Sequence, residues 1–170
     1  MQLAIRSEIP ADIPAIYQLH AAAFHSDAEA RLVGALRTNG ALLLSLVAEA
    51  DGELVGHIAF SAVVIDSEAA SQVGVGLAPL AVAPRHQRQG VGGKLVEEGL
   101  RRLRSAGHRW CVVLGHAHYY PRYGFVLAKT HGIRWEKPVP DNIFSVQALT
   151  PGGLDGVSGT ARYRPEFDAL

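Results

Sequence analysis

Residues 80–94 read Leu80-Ala81-Val82-Ala83-Pro84-Arg85-His86-Gln87-Arg88-Gln89-Gly90-Val91-Gly92-Gly93-Lys94, and this stretch decides the fold. An apolar run, Val73–Ala83, is closed by Pro84, which predicts a strand buried on both faces. After it the chain passes through a glycine-rich turn into a helix with Val91, Leu95, Val96, Gly99, Leu100 and Leu103 on one side and mostly charged residues on the other. Unpaired N–H groups at a helix start, with the dipole behind them, favour negative charge. Gly90, Gly92 and Gly93 let an anion approach the main chain. Arg85, Arg88 and Lys94 add side-chain charge, so the expected ligand is a pyrophosphate.

Working outward, Gly107 ends the helix and Trp110–Leu114 forms a short buried strand. Upstream, Ala41–Glu49 and Glu53–Ile65 are strands joined at Ala50-Asp51-Gly52, a hairpin signal. Two helices precede them, one beginning near Ala11 and one over Asp27–Arg37 with Asn39-Gly40 after it. Downstream, Tyr119–Tyr123 predicts one helical turn or two, Phe125–Ala128 starts a strand, and Phe144–Leu149 is the last strand. The order α α β β β α β α β β describes a mixed α/β domain in which hairpins come first and a strand-helix-strand crossover follows.

Other phosphate loops fail on residue identity. A P-loop needs Ser or Thr after Gly-Lys, whereas Leu95 follows Gly93-Lys94. A dinucleotide fingerprint fails because Gly74-Val75-Gly76 is followed by Leu77-Ala78-Pro79 and precedes no helix.

Composition bounds the rest. With 170 residues, 48% of them hydrophobic, one domain over 1–170 is expected. Cys111 is the single cysteine, which excludes a disulfide scaffold or a multi-thiolate zinc site. No apolar run is long enough to span a membrane and no leader is visible at MQLAIRSEIP, so the expected location is cytoplasmic. The 16 basic and 16 acidic residues balance, but residues 1–84 carry a net −6 and residues 85–170 a net +6. Such asymmetry points to a local anion site.

The run Gln87-Arg88-Gln89-Gly90-Val91-Gly92 matches Q/R-x-x-G-x-G/A, and Tyr119-Tyr120-Pro121-Arg122-Tyr123-Gly124-Phe125 is similar to F-Y-x-x-x-G-F. With these two motifs the sequence resembles the GCN5-related N-acetyltransferase (GNAT) family, and in its flanks the YhbS-like bacterial subgroup. Motif-level resemblance covers Leu42–Val126. It implies a single-domain, mixed but mostly antiparallel central sheet flanked by helices, with a V-shaped opening between Val73–Ala83 and Trp110–Leu114. It implies that the backbone of Leu80, Ala81 and Val82 pairs with the pantetheine arm of acetyl-CoA. It further implies that Arg88, Gln89, Gly90, Val91, Gly92 and Gly93 hold the diphosphate, and that Tyr120 is the general acid for the departing thiolate. A phenol of pKa ~10 can protonate a thiolate of ~8.5 when held within hydrogen-bond reach.

The resemblance implies acetyl transfer to a primary amine by direct attack on the thioester, with no metal. An alkylammonium of pKa ~10.4 is almost wholly protonated at neutral pH, so a base is needed. Many members place a Glu on a central strand, but Val75–Ala83 and Trp110–Leu114 contain no carboxylate. His57, His116 and His118 are the chemical substitutes, each alternatively an ordinary core or surface histidine. His116-x-His118 lacks a third metal ligand. Arg101, Arg102 and Arg104 read as a solvated helix face, since no aromatics are interleaved as nucleic-acid binding would favour.

The missing carboxylate keeps a second reading open, a non-catalytic acyl-CoA sensor. The partners implied are acetyl-CoA and an amine acceptor, expected to be lined by residues 21–37 and 132–142. Oligomeric state, a homodimer included, is unread.

Overall fold

The computed structural model describes all 170 residues. Its sheet has nine strands, and hydrogen-bonded neighbours follow the order β1-β2-β3-β4-β5-β8-β6, with β9 joined to β3 and β7 to β9. The strands are β1 (Leu3–Ser7), β2 (Leu42–Ala50), β3 (Glu53–Asp66), β4 (Ser71–Val82), β5 (Trp110–Leu114), β6 (Val126–Leu127), β7 (Ile133–Trp135), β8 (Phe144–Ala148) and β9 (Gly159–Arg162). The helices are α1 (Ile13–Phe24), α2 (Ala28–Thr38) and α3 (Val91–Ser105). Pairing is antiparallel for β1–β2, β2–β3, β3–β9, β5–β8 and β6–β8, and parallel for β4–β5 and β7–β9. The architecture is thus the expected mixed, mostly antiparallel sheet flanked by helices.

The chain forms two compact units, and β3, β4 and α3 run through both. One comprises Met1–Ser61, Ala78–Gly99 and Pro165–Leu170. Here α1 and α2 bury Ile16, Leu19, Leu32, Val33 and Leu36, and the first part of α3 buries Val91, Leu95 and Val96. Gly56 and Gly99 permit close packing of α3 on β3: a Cβ at 56 would lie 2.9 Å from side-chain carbons of Val91 and Leu95, and one at 99 would lie 2.6 Å from the Phe60 ring.

The other unit comprises Ala62–Leu77 and Leu100–Arg164. Its core gathers Val63, Ile65, Trp110, Val112, Ile133, Phe144 and Val146. Trp110 is fully buried, and its indole fills the space of the side chain that Gly74 lacks; a Cβ there would come within 2.5 Å of the ring. The parallel ladder between β4 and β5 is short, pairing Val75–Leu77 with Cys111–Val113. It ends two residues before Pro79, which has no N–H to give.

The structure adds three strands that the sequence pattern does not announce. β1, β7 and β9 have five, three and four residues, too short for a period-2 signal to stand out. Val73–Ala83 is also less buried than expected. Gly74–Leu77 are buried, but Val73 is 68% exposed. The Phe125–Ala128 strand shrinks to Val126–Leu127, because Ala128 starts a 3₁₀ turn ending at Gly132.

Candidate active site

The strand end and glycine loop lie in the first unit. Leu80 and Val82 are partly exposed on β4, with Ala81 buried between them. The Ala83 N–H donates to the Val55 carbonyl at 2.9 Å, closing the β3–β4 pair at that end. The loop braces itself with its own side chains: Gln87 Nε2 donates to the Val82 carbonyl at 3.0 Å and Gln89 Nε2 to the Arg85 carbonyl at 3.2 Å.

Arg88 (φ 61°) and Gly90 (φ 85°) both adopt left-handed backbone, bending the chain sharply into α3. At Gly90 the absent Cβ leaves open space. The first helical hydrogen bond runs from Lys94 N to Gly90 O at 3.1 Å, so the N–H groups preceding it at the start of α3 have no intrahelical acceptor. A chain that turns with left-handed residues into a helix start forms an anion-binding concavity. Val91 itself is core, 1% exposed, so only its backbone faces that role.

Arg85 departs from expectation, because its guanidinium is paired with Glu53 and hydrogen-bonds His86 Nε2 at 3.1 Å. That leaves Arg88 and Lys94, both exposed, as the free basic side chains of the loop. His86, given no role from sequence, has a buried Nδ1 without a hydrogen-bond partner.

Tyr120 lies in the second unit, at the start of a 3₁₀ turn over Tyr120–Tyr123 that Gly124 ends with φ 94°. The ring is seated edge-on against Tyr119 (centroids 5.0 Å apart) and Phe125 (5.6 Å). Gly115, just past β5, makes room for it; a Cβ there would lie 2.4 Å from Tyr120 Cε2. Burial, with the Cys111 and Tyr123 side chains as lesser causes, holds the Tyr120 phenol well above its ordinary pKa. It therefore stays protonated at neutral pH and carries a proton to give. Gln147 fixes the end of the turn, donating from Nε2 to the Tyr123 carbonyl at 2.6 Å and accepting from Arg104.

The histidines divide. His116 and His118 are exposed, and no three His, Cys, Asp or Glu side chains gather to hold a metal ion. His57 is fully buried on β3 and belongs to a polar chain in the first unit. His20 Nε2 and His57 Nδ1 are 2.8 Å apart, and His57 Nε2 is 2.8 Å from Ser45 Oγ. Ser45 donates in turn to Glu8, which Arg37 clamps through Nε at 2.7 Å and NH2 at 3.0 Å. Burial raises the Glu8 pKa, but hydrogen bonds from His57, Arg37 and Ser45 outweigh that and hold it well below the carboxylate range.

Sequence reasoning singled out His57 and missed Glu8, His20 and Ser45. The available signal was a histidine amid apolar strand residues, which must find a partner. Cys111 is buried, and burial pushes its thiol well up, so it is inert. Residues 133–135 and 137–141, with Lys129 and Phe144 beside them, wall a cavity of about 220 Å³.

A mixed sheet in this strand order, with a glycine loop opening α3 and a tyrosine turn after β5, defines an acetyltransferase domain; the Acetyltransferase (GNAT) domain family model matches residues 42–127. The chain belongs to the GNAT acetyltransferase family and is an acyltransferase. It is 42% identical over 165 residues to an uncharacterised N-acetyltransferase, YhbS, of Escherichia coli (strain K12), covering 96% of this chain and 98% of that one. The crystal structure of Escherichia coli YhbS in complex with CoA aligns with a TM-score of 0.92 at 41% identity, over 99% of this chain and 93% of that one. A GNAT family acetyltransferase from Brucella melitensis in complex with acetyl-CoA aligns with a TM-score of 0.80 at 41% identity, over 98% and 99% of the two chains. No helix is long and apolar enough to cross a membrane.

Proposed function

We propose that residues 1–170 form a single N-acetyltransferase domain that takes acetyl-CoA as cosubstrate and transfers its acetyl group to a primary amine in the cytoplasm. The observation that carries this is the turn into α3, where left-handed Arg88 and Gly90 precede helix-start N–H groups that have no intrahelical acceptor. Near-full-length relatives in complex with CoA and acetyl-CoA support it. On this reading Arg88, Gln89, Gly90, Val91, Gly92 and Gly93 hold the diphosphate, and the backbone of Leu80, Ala81 and Val82 pairs with the pantetheine arm. The amine attacks the thioester carbonyl directly, and Tyr120 gives its proton to the departing thiolate.

The experiment is acetyl-CoA binding by calorimetry together with thiol release over a panel of primary amines. Binding with release for at least one amine is expected; binding without release for any amine would instead identify an acyl-CoA sensor. Tyr120→Phe is expected to lower turnover about 100-fold, the scale of a lost general acid, while leaving acetyl-CoA affinity unchanged. Equal turnover at saturating substrates would make Tyr120 structural.

A further inference from the structure

The loop that enters α3 takes little of its shape from the core. Residues 84–90 are exposed, save for His86, which is half-buried. Arg88 and Gly90 are nevertheless left-handed, and a residue with a side chain keeps such a backbone only where its surroundings hold it there. Polar contacts supply that hold, and they meet at Arg85.

The Arg85 carbonyl accepts from Gln89 Nε2 at 3.2 Å, its Nε donates to His86 Nε2 at 3.1 Å, and its NH2 donates to the Glu53 carboxylate. The first two contacts lie within the loop and leave it able to shift as one body. Glu53 is the first residue of β3, so the third ties the loop to a strand that is not its own. Gln87 makes the other tie, from Nε2 to the Val82 carbonyl on β4, the strand that the loop leaves.

Backbone pairing does not replace the tie to β3. The Ala83 N–H reaches the Val55 carbonyl at 2.9 Å, but Pro84 has no N–H, and the next amides turn back into the loop, His86 to the Ala83 carbonyl at 2.8 Å and Gln87 to the Pro84 carbonyl at 3.4 Å. Two residues beyond Ala83 on one chain and two before Val55 on the other, Arg85 and Glu53 resume the connection through side chains. Gln89 immediately precedes Gly90. The contacts Glu53–Arg85–Gln89 therefore run from the sheet to the threshold of α3.

We propose that Glu53 is a positioning residue for acetyl-CoA: acting through the Arg85 guanidinium, it holds residues 85–90 in the shape that presents the helix-start N–H groups to the diphosphate. This rests on the acetyl-CoA reading above. Arg85 is then a brace and not a phosphate ligand, and the two roles predict opposite signs. Were Arg85 a ligand restrained by Glu53, removing the carboxylate would release a cation toward an anion and tighten binding. With Arg85 as a brace, the same change loosens the loop and weakens binding.

The test is a double-mutant cycle on the full chain, with Glu53→Ala, Arg85→Ala and the pair, read by acetyl-CoA calorimetry and by thiol release with an amine that the wild type acetylates. Glu53→Ala is expected to weaken acetyl-CoA binding and raise its KM about fivefold, the upper end for an exposed ion pair, while turnover at saturation changes less than about twofold. The double variant is expected to match Arg85→Ala, because Glu53 acts only through that side chain. Glu53→Gln, which keeps an oxygen for the guanidinium, should recover part of the loss. Amide hydrogen exchange of the ligand-free chain should quicken over residues 86–90 in Glu53→Ala, with an unchanged denaturation midpoint. Tighter or unchanged binding in Glu53→Ala, additive losses in the double variant, or unaltered exchange in the loop overturns the proposal. A wild type that binds no acetyl-CoA brings down the parent reading together with this one; a wild type that binds it, with an indifferent Glu53→Ala, defeats this inference alone.

Discussion

At the scale of single residues, Tyr120 depends on a neighbour that contributes no side chain. Its ring occupies the place where a Cβ at 115 would sit, 2.4 Å from Cε2. Gly115→Ala is expected to push the ring off its seat and destabilise the fold by about 1–3 kcal/mol, the usual cost of overpacking. Turnover should drop more than acetyl-CoA affinity, which parallel denaturation, calorimetry and thiol-release measurements would check; a stable variant with full turnover would refute it. The same scale shows where the sequence is silent. The turns at Tyr120 and Gly90 are legible because the motifs that hold them are contiguous in the chain. Glu8, His20, Ser45 and His57 come from β1's end, α1, β2 and β3, and no spacing connects them until the sheet pairs. His57 alone stood out, as a polar residue in an apolar strand.

At the scale of elements, α3 has two kinds of glycine, and substitution separates them. Gly92 lies in the first turn, among the N–H groups assigned to the diphosphate. Gly92→Leu is expected to weaken acetyl-CoA binding at least tenfold, about 1.4 kcal/mol, with the melting temperature nearly unchanged. Gly99 faces β3, where a Cβ would meet the Phe60 ring at 2.6 Å. Gly99→Leu is expected to destabilise the chain by about 1–3 kcal/mol, visible as a lower denaturation midpoint. A reversal of the two outcomes would undo the division of labour along the helix. The long elements β2, β3, β4 and α3 are readable from periodicity, since each repeats its pattern over nine or more residues. The short strands owe their state to partners: β9 to β3 and β7, and β7 to β9, a tertiary cause that local propensity does not contain.

At the scale of the whole molecule, the zero net charge conceals an acidic first half and a basic second half, and the glycine loop opens the basic part. Acid stability follows from the buried chain rather than from that balance. His20 and His57 have folded pKa values below the ordinary 6.5, and Glu8 lies below its ordinary 4.5. Each therefore stabilises fully above its unfolded pKa and loses that contribution as pH falls toward the folded value. Unfolding free energy is expected to fall below about pH 6.5 by up to ~1.4 kcal/mol per pH unit for each histidine, and more steeply below about 4.5, where Glu8 joins. Denaturant titrations at neutral and acid pH read this directly, and a flat profile from pH ~7 to ~5 would contradict neutral burial of the two rings. The packing of Trp110 on Gly74 has a consequence of another kind. Because one residue occupies the other's volume, the two positions form a single unit of inheritance: across relatives they should vary together. A chimera that imports a larger residue at 74 without its companion at 110 should fail, while one that exchanges the pair should fold.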